Sequence, residues 1–381
     1  MMKILMIVAS FPPQRCGVGD YTEQLCKNLV TDGVEVGVIT SAGSREGGEE
    51  RREQRFKVYP VVKRWGFGAL FPILRLVRAL RPDVIHIQYH GEDYEKSIMI
   101  SLLPLILRFL GKGLRITTLH NLQEPLIFPK LGMQIFLRFS ERIILTNEID
   151  QHELIRKFPF ISQKAVVIPA GPGTPKGEER REEGIEDNGV EGEVTLSYFG
   201  FLNPSKGIET LFLALKNLIE GGYKVRLLMI GDLHNGASED LRRYVEKLKE
   251  LAERFKIEDS ITWTGYVSKR GTSLYLLSSD ICVLPFRDGV STKRSSLISC
   301  LDHGLPVVST CNGFIPRGME DHKNILLVPP DDELSLSKAI IELIEDKDLR
   351  IRLAKEAKKL MEKEYSWKEI VKRTVNLYVG E

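Results

Sequence analysis

The sequence lacks an excess of charge of either sign. It contains 54 basic and 52 acidic residues among 381, which gives a formal net charge of +2. Proteins that bind nucleic acid usually carry a clustered basic excess, so we expect no nucleic acid partner. An anionic ligand would have to be held by a few local groups, because the chain as a whole offers it no attractive field.

Cysteine is scarce and shows no recognisable spacing. The chain has five, and no two of them form a CxxC pair: Cys16, Cys26, Cys282, Cys300 and Cys311. Cys282 and Cys300 lie inside apolar runs, where a thiol behaves as a small buried hydrophobic group. Scattered, buried thiols are typical of the reducing cytoplasm rather than of a secreted disulfide scaffold. We therefore predict free thiols in a cytoplasmic protein.

Long apolar runs are also missing. The opening MMKILMIVASFPP is too short for a signal peptide and is predicted to form a first strand. The longest apolar stretch, SIMISLLPLILRFLG at 97–111, contains a proline and an arginine. It falls short of the roughly 20 residues that a membrane-spanning helix needs. We therefore predict a soluble chain.

The sequence does contain a regular alternation of strands and helices. Its length suffices for two or three domains, and 43% of its residues are hydrophobic. The predicted strands are short, continuous apolar runs, typical of parallel sheets covered by helices on both faces. They lie at 3–10, 34–40, 83–89, 115–120, 142–147 and 165–170 in the first half, and at 194–200, 224–231, 260–265, 280–286, 306–310 and 325–330 in the second.

A charged segment separates the two halves. Residues 176–193, KGEERREEGIEDNGVEGE, include eleven charged and two apolar residues, too few apolar ones to form a core. We predict an α/β fold of two doubly wound, Rossmann-like domains, at 1–177 and 194–365, joined by an acidic linker at 178–193. Ligands of such sheets bind beyond the carboxyl ends of the strands, so a cleft between the domains is the expected site.

Two glycines follow the first strand, in FPPQRCGVGDY. Gly17 and Gly19 would let the backbone approach a ligand where a helix begins, and N–H groups at a helix start can hold an anion. A dinucleotide-binding fingerprint would need a third glycine near Thr22, and none is present. A simple strand-to-helix turn remains the alternative.

Histidines mark the ends of two predicted strands. His86 and Gln88 share one side of the strand 83–89, His90 lies past its end, and His120 ends the strand 115–120. In a parallel sheet these ends meet at one edge, which is suitable for contacting a ligand. The alternative is that they are structural histidines. No HxxxH helix accompanies them, so we predict no metal site.

Cationic groups follow the strands of the second half. Lys206-Gly207 directly precedes a helix from Ile208, and a lysine beside a helix start suits a phosphate. The segment is not a Walker loop, which would read GxxxxGK[ST]. Gly231 ends the next strand at the same edge.

The connection after the strand 280–286 concentrates charge. It contains Asp288, Lys293 and Arg294, and a helix is predicted from about Ser295 to His303. Cations and hydroxyls at a helix start form a phosphate-type pocket, here with a carboxylate nearby.

The motifs together resemble those of the family-4 type of retaining glycosyltransferases, which have the two-domain GT-B architecture. The resemblance extends over the whole chain and rests on the order of these segments: PPQRCGVGDY, RPDVIHIQYH, TTLHN, VIPAG, FGFLNPSKGIETLFLAL, LLMIGD, ITWTGYVS, SSDICVLPF, HGLPVV and ILLVPPDDELSLSKAIIELIED. It implies transfer of a sugar from a nucleotide-sugar donor, with retention of configuration and without a metal or other cofactor. It also implies that the last helix, about 366–381, packs back onto the first domain.

The resemblance assigns residues to roles by position. Gly17 and Gly19 match the loop beside the donor diphosphate, His120 matches the histidine beside the donor sugar, and Lys206 matches the lysine that holds the diphosphate. We assign further residues to contacts with the donor or its diphosphate because they follow the strands of the second half. They are Gly207, Gly231, Asp288, Lys293, Arg294, Ser295 and Ser299. Contacts to the sugar or the acceptor are assigned to Asp20, His86, Gln88 and His90.

This chain departs from the family pattern at two places. Phe201 stands where the family has an arginine, and Ser299 stands where it has the second of two glutamates. The first glutamate position falls on Ser291 or, with a short insertion, on Asp288. We predict that Arg294, together with Lys293, replaces the missing positive charge, so that the catalytic set is His120, Lys206 and Arg294.

Other functions remain open on the same fold. A UDP-sugar epimerase-like enzyme would need a carboxylate pair in the cleft, and a catalytically weak relative would bind a nucleotide or glycan without transfer. A membrane-surface role is suggested by VVKRWGFGALFPILRLVRALRP at 61–82, which is basic and amphipathic, with Arg75 and Arg78 opposite Leu74 and Val77. A helix packed on the sheet gives the same pattern. The expected partners are a nucleotide sugar and a carbohydrate or lipid-linked acceptor.

Overall fold

The structure, a computed structural model, divides the chain into two compact units. Unit 1 comprises Met1–Ala170 and Trp367–Glu381, and unit 2 comprises Gly171–Ser366. The structure describes residues 1–45, 55–95, 97–109, 113–120, 129–174, 176, 192–233 and 237–380. The linker predicted at 178–193 lies outside these residues except for its last two.

Unit 1 is built on a parallel sheet of seven strands in the order β3-β2-β1-β4-β5-β6-β7. The strands are β1 Lys3–Val8, β2 Glu35–Ser41, β3 Lys57–Val62, β4 Val84–Tyr89, β5 Leu114–Leu119, β6 Arg142–Leu145 and β7 Ala165–Val167. The edge strand β3 has no counterpart among the predicted strands. It is half-exposed and contains Pro60, so it lacks the continuous apolar run of a central strand.

Helices cover both faces of this sheet. They are α1 Gly17–Thr31, α2 Leu70–Leu80, α3 Ile98–Phe109, α4 Pro129–Phe139, α5 Glu148–Lys157 and, from the end of the chain, α12 Trp367–Val379. α1 and α12 pack on one face through Leu25 and Ile370, against Met6 of β1. α2 to α5 pack on the other. The last helix is therefore part of the core of the N-terminal unit.

Unit 2 contains a second parallel sheet, of six strands in the order β10-β9-β8-β11-β12-β13. The strands are β8 Val194–Phe199, β9 Val225–Ile230, β10 Ile261–Gly265, β11 Ile281–Leu284, β12 Val307–Thr310 and β13 Leu326–Val328. The helices are α6 Ile208–Glu220, α7 Glu239–Phe255, α8 Lys269–Leu277, α9 Ser295–Asp302, α10 Glu333–Glu345 and α11 Lys347–Leu360, followed by a π-helical turn at Met361–Tyr365. Two parallel α/β sheets confirm the predicted fold class.

The boundary between the units lies earlier than the predicted end of the first domain at 177. Unit 2 begins at Gly171. The physical reason is a pair of hydrogen bonds: the backbone N–H groups of Gly173 and Thr174 donate to Ser299 Oγ on α9, at 2.9 and 3.3 Å. These bonds attach the segment to the second sheet's helices.

Candidate functional site

Two cations of unit 2 lie against one buried aromatic ring. The ring of Phe286 is fully buried just past the end of β11. Lys206 Nζ lies 5.1 Å from its centroid and Arg294 Cζ lies 3.9 Å from it. Each cation gains from the electron-rich ring face, but the pair also places two like charges close together in a protein interior.

The guanidinium of Arg294 is only partly compensated by the protein. Arg294 is 8% exposed and forms an ion pair with Asp288 through one terminal nitrogen. Its Nε atom is buried and has no hydrogen-bond partner among the described residues. Buried donors are nearly always paired in native proteins, so this N–H is available to an acceptor from a ligand.

The environment of Lys206 disfavours its positive charge. Burial, with repulsion from Arg294 next in size, lowers the pKa of Lys206 to about 7. Burial also lowers the pKa of Arg294, against the opposing effect of Asp288. The cluster therefore lacks negative charge, and a bound anion would relieve both effects.

Lys206 and Arg294 each come just before the start of a helix. Lys206 ends a short 3-10 turn, Pro204–Lys206, and α6 follows directly. α9 begins directly after Arg294. Neither N-terminus has a side-chain cap, so its first N–H groups remain available to an anion.

Glycines allow the strand-end loops of unit 2 to approach each other closely. Gly207 has φ of 66°, and a Cβ atom there would collide with the carbonyl oxygen of Pro285. Gly231 has φ of 132°, and a Cβ atom there would collide with the carbonyl oxygen of Gly200. Both predicted donor-site glycines therefore have a clear structural role in positioning the loops that carry the charged residues.

One predicted donor residue, Ser299, is placed differently from the expectation. Its side chain is fully buried, and its Oγ accepts from the backbone of Gly173 and Thr174 and donates to the carbonyl of Ser295 at 2.8 Å. The hydroxyl is fully engaged within the unit, so the predicted donor contact is not supported. Lys293 and Ser295 are partly exposed beside Arg294 and remain predicted contacts.

In unit 1, His120 lies one residue past β5. Its Nε2 atom bonds Gln88 Oε1 on β4 at 2.8 Å, and the ring of Tyr21 from α1 packs edge-on at 5.1 Å between centroids. Burial lowers the pKa of His120 to about 3. The side chain is thus a neutral hydrogen-bonding group, held in place by two elements.

His86 and Gln88 are wrong as direct ligand contacts. Both are fully buried on the face of the sheet that α1 and α12 cover. His86 bonds Thr118 Oγ1 and the hydroxyl of Tyr378, each at 2.7 Å. Gln88 bonds His120, whereas His86 bonds only buried groups of unit 1. The alternation of residues along the strand did not show which of its two faces is covered by helices.

A carboxylate missed by sequence reasoning accompanies His90. Asp93 Oδ2 lies 3.5 Å from His90 Nδ1, and the thiol of Cys16 donates to the same oxygen at 3.3 Å. The hydrogen bond and charge of His90 outweigh burial and lower the pKa of Asp93. Burial raises the pKa of Cys16 to about 12, so this thiol is not a nucleophile. The sequence signal for this pair is that Asp93 follows His90 by three positions.

The predicted glycine loop is in fact the first turn of α1. A Cβ atom at Gly19 would lie 2.6 Å from the carbonyl oxygen of Ser10, so this glycine allows the helix to pack closely on the end of β1. A Cβ atom at Gly17 would meet nothing within 4 Å, so the space beside it is open. Asp20 is partly buried in the same turn. Gly17 and Asp20 remain predicted contacts.

Comparisons with known proteins place both halves of the chain in one enzyme class. Residues 16–172 match the family model described as Glycosyltransferase Family 4. Residues 193–346 match the model described as Glycosyl transferases group 1. Together the matched ranges include His120, Lys206 and Arg294.

Individual relatives are distant but extensive. Spore coat protein SA of Bacillus subtilis is 22% identical, covering 69% of this chain and 71% of that protein. A GDP-mannose-dependent monoacylated alpha-(1-6)-phosphatidylinositol monomannoside mannosyltransferase of Corynebacterium glutamicum is 21% identical over 100% of this chain and 98% of its own. The match covers a smaller part of some other relatives; in one of them it covers 47% of that protein's length.

A solved structure shares the fold over the full length. HepE of Anabaena, in complex with UDP and glucose, superposes with a TM-score of 0.78, covers 100% of both chains and is 18% identical. At 18% identity, this similarity is evidence for a shared fold alone.

Proposed function

This chain is a glycosyltransferase of the GT-B fold and of the family-4 type, and we propose that it transfers a sugar from a nucleotide-sugar donor to an acceptor hydroxyl. Lys206 and Arg294, with the uncapped starts of α6 and α9, would hold the donor diphosphate. His120 would contact a hydroxyl of the sugar. The observation that carries the proposal is the pair of under-compensated cations on Phe286.

The proposal includes retention of configuration without a metal. Charge develops on the diphosphate as the sugar departs, and preorganised cations and helix N-termini stabilise such charge. Lys206 and Arg294 would supply the positive charge that a metal provides in other transferases. The leaving diphosphate would then be positioned to take the proton of an acceptor hydroxyl that attacks from the same face.

Nucleotide sugars should stabilise the protein against heat. We expect one of UDP-glucose, GDP-mannose or ADP-glucose to raise Tm by roughly 3 °C at about 100 times its Kd, because it binds the folded state only. The screen is differential scanning fluorimetry, repeated on Arg294→Ala, which should lose most of the shift. If no nucleotide sugar moves Tm at millimolar concentration, the donor assignment fails. A shift without donor turnover would favour a catalytically weak binding protein.

An exposed surface of unit 1 suits an anionic membrane. Phe67, in the 3-10 turn that precedes α2, and Phe71, in the first turn of α2, are 62% and 74% exposed. Lys63, Arg64, Arg75 and Arg78 are exposed around them, whereas Ile73 and Val77 pack on the sheet. We propose a peripheral contact with the cytoplasmic membrane face, where the acceptor would be a lipid-linked sugar. The structure shows no described helix that is long and apolar enough to span a bilayer.

Removing the two aromatic side chains should weaken vesicle binding. We expect Phe67→Ser/Phe71→Ser to lower the partition onto phosphatidylglycerol vesicles at least about tenfold, since two large apolar side chains no longer enter the interface. Flotation measures this. Phe109→Ser is the control, because Phe109 is 82% exposed at the end of α3. Equal flotation of wild type and the double variant would contradict the proposal.

A further inference from the structure

The amine of Lys206 is a reactive group that the proposed transfer reaction uses only as a charge. Lys206 is half-buried, in the short turn that ends directly before α6. Among the residues that the structure describes, its Nζ atom has no hydrogen-bond or ion-pair partner, and it contacts the ring of Phe286. A lysine amine is a nucleophile in its neutral form, and burial without a partner favours that form.

The charged groups that face Lys206 are two cations and one carboxylate. Arg294 and Lys293 oppose its positive charge, and Asp288 favours it. Asp288 is itself paired with Arg294, so little negative charge is left for the amine. Burial and, after it, these cations lower the pKa of Lys206 to about 7, from about 10.4 for an ordinary lysine. At pH 7.5 its neutral fraction therefore exceeds that of an exposed lysine by a factor on the order of 10² to 10³.

The neighbouring guanidinium offers a place for a new anion. Arg294 lies against the same ring as Lys206, and its buried Nε has no partner among the described residues. A reaction that turned the amine of Lys206 into an anion would supply acceptor oxygens beside this donor. Acylation by a neutral group would remove the charge of the lysine without adding an anion. Carbon dioxide converts a neutral amine into an anion in one step.

We propose that Lys206 is a site of reversible carbamylation by carbon dioxide, and that the carbamate lies against Arg294 in the place of an anionic ligand. The nitrogen lone pair forms a bond to the carbon of CO₂, one carbon–oxygen π bond breaks onto oxygen, and an N–H proton passes to water. Amine and CO₂ thus give carbamate and a proton, without an oxidant or a metal. The modification does not rest on the proposed function, whereas its competition with a donor diphosphate does.

The direct test detects the carbamate in the full-length protein. ¹³C NMR with labelled bicarbonate separates a carbamate carbon from bicarbonate, and trapping with triethyloxonium followed by mass spectrometry locates the modified lysine. We expect the carbamate on Lys206 at pH 7.5, rising from pH 6 to pH 8 at a fixed CO₂ pressure as the amine loses its proton. Lys206→Arg should abolish it, because a guanidinium stays protonated. Arg294→Ala should lower its occupancy about fivefold, the loss of roughly one hydrogen bond.

Lys216 is the matched control in the same unit. It lies 5.7 Å from the centroid of Phe255, and Arg254 lies 5.4 Å from the same centroid, so a lysine and an arginine again share one ring. Lys216, however, is 36% exposed and forms an ion pair with Glu220 at 3.5 Å. We expect no trapped carbamate on Lys216, and Lys216→Arg should leave the signal of Lys206 unchanged.

Inorganic pyrophosphate serves as the competing anion. At ten times its Kd it should lower the carbamate signal up to about tenfold by mass action, because both anions need Arg294. Absence of a carbamate on Lys206 in folded wild type under saturating CO₂ overturns the proposal. A carbamate that pyrophosphate leaves unchanged overturns its placement at Arg294. A carbamate that pyrophosphate displaces, in a protein whose Tm no nucleotide sugar raises, would support the modification and count against the proposed function alone.

Discussion

We expect the replacement of Arg294 by alanine to lower turnover of the proposed nucleotide-sugar donor by about 10³-fold. Removing a single preorganised donor from developing negative charge typically costs two to three orders of magnitude in kcat. Arg294 has two further properties that favour the upper end of that range. It is almost fully buried, and its Nε has no partner among the described residues, so its ion pair with Asp288 satisfies the guanidinium only in part.

The comparison with Arg287 isolates this effect from a general loss of positive charge. Arg287 lies in the same connection but is 41% exposed and bonds Asp331 and Glu209. Arg287→Ala should retain at least about half of the wild-type kcat, since exposed ion pairs contribute little. Arg294→Lys should recover part of the loss, because it restores the charge without the planar group on Phe286. Steady-state donor turnover measures all three. An Arg294→Ala enzyme within threefold of wild type would contradict the assigned role.

Much of the fold was predictable because parallel sheets leave a strong signal. A buried strand that is covered on both faces reads as a continuous apolar run, and a turn and a helix must follow it. The helix predicted from Ile208 begins there as α6, and the helix predicted from about Ser295 begins there as α9. The edge strand β3 was missed because half-exposed residues and a proline give no such run.

Ligands of parallel sheets bind beyond the carboxyl ends of the strands. This rule also identified most of the charged residues around Phe286, since Lys206, Asp288 and Arg294 all follow strands of one parallel sheet. It failed where a residue's role depends on contacts distant in the chain. Ser299 occupies a predicted donor position, but its hydroxyl binds a backbone segment more than a hundred residues earlier. Tyr378 reaches His86 from 292 positions away. No local pattern carries such information.

The affinity for a nucleotide sugar should fall as the pH rises above about 7. In the free protein the pKa of Lys206 is lowered to about 7 by burial and by Arg294. A bound diphosphate raises that pKa, so above pH 7 binding must take up a proton. The apparent Kd then increases by up to about tenfold per pH unit until the pKa of the complex is reached. The diphosphate of a nucleotide sugar is a diester with no titration in this range, so the change belongs to the protein.

Two variants separate Lys206 from other titrating groups. Lys206→Arg keeps its charge to pH 9, so its Kd should be nearly independent of pH, and isothermal titration calorimetry should detect no proton uptake. The ligand-free protein should respond in the opposite sense. The unfolded lysine, with a pKa of about 10.4, binds more protons than the folded one between pH 7 and 10, so wild-type stability should rise over this range relative to Lys206→Arg. Parallel Kd curves for wild type and Lys206→Arg from pH 6 to 9 would show that Lys206 does not bear the diphosphate charge.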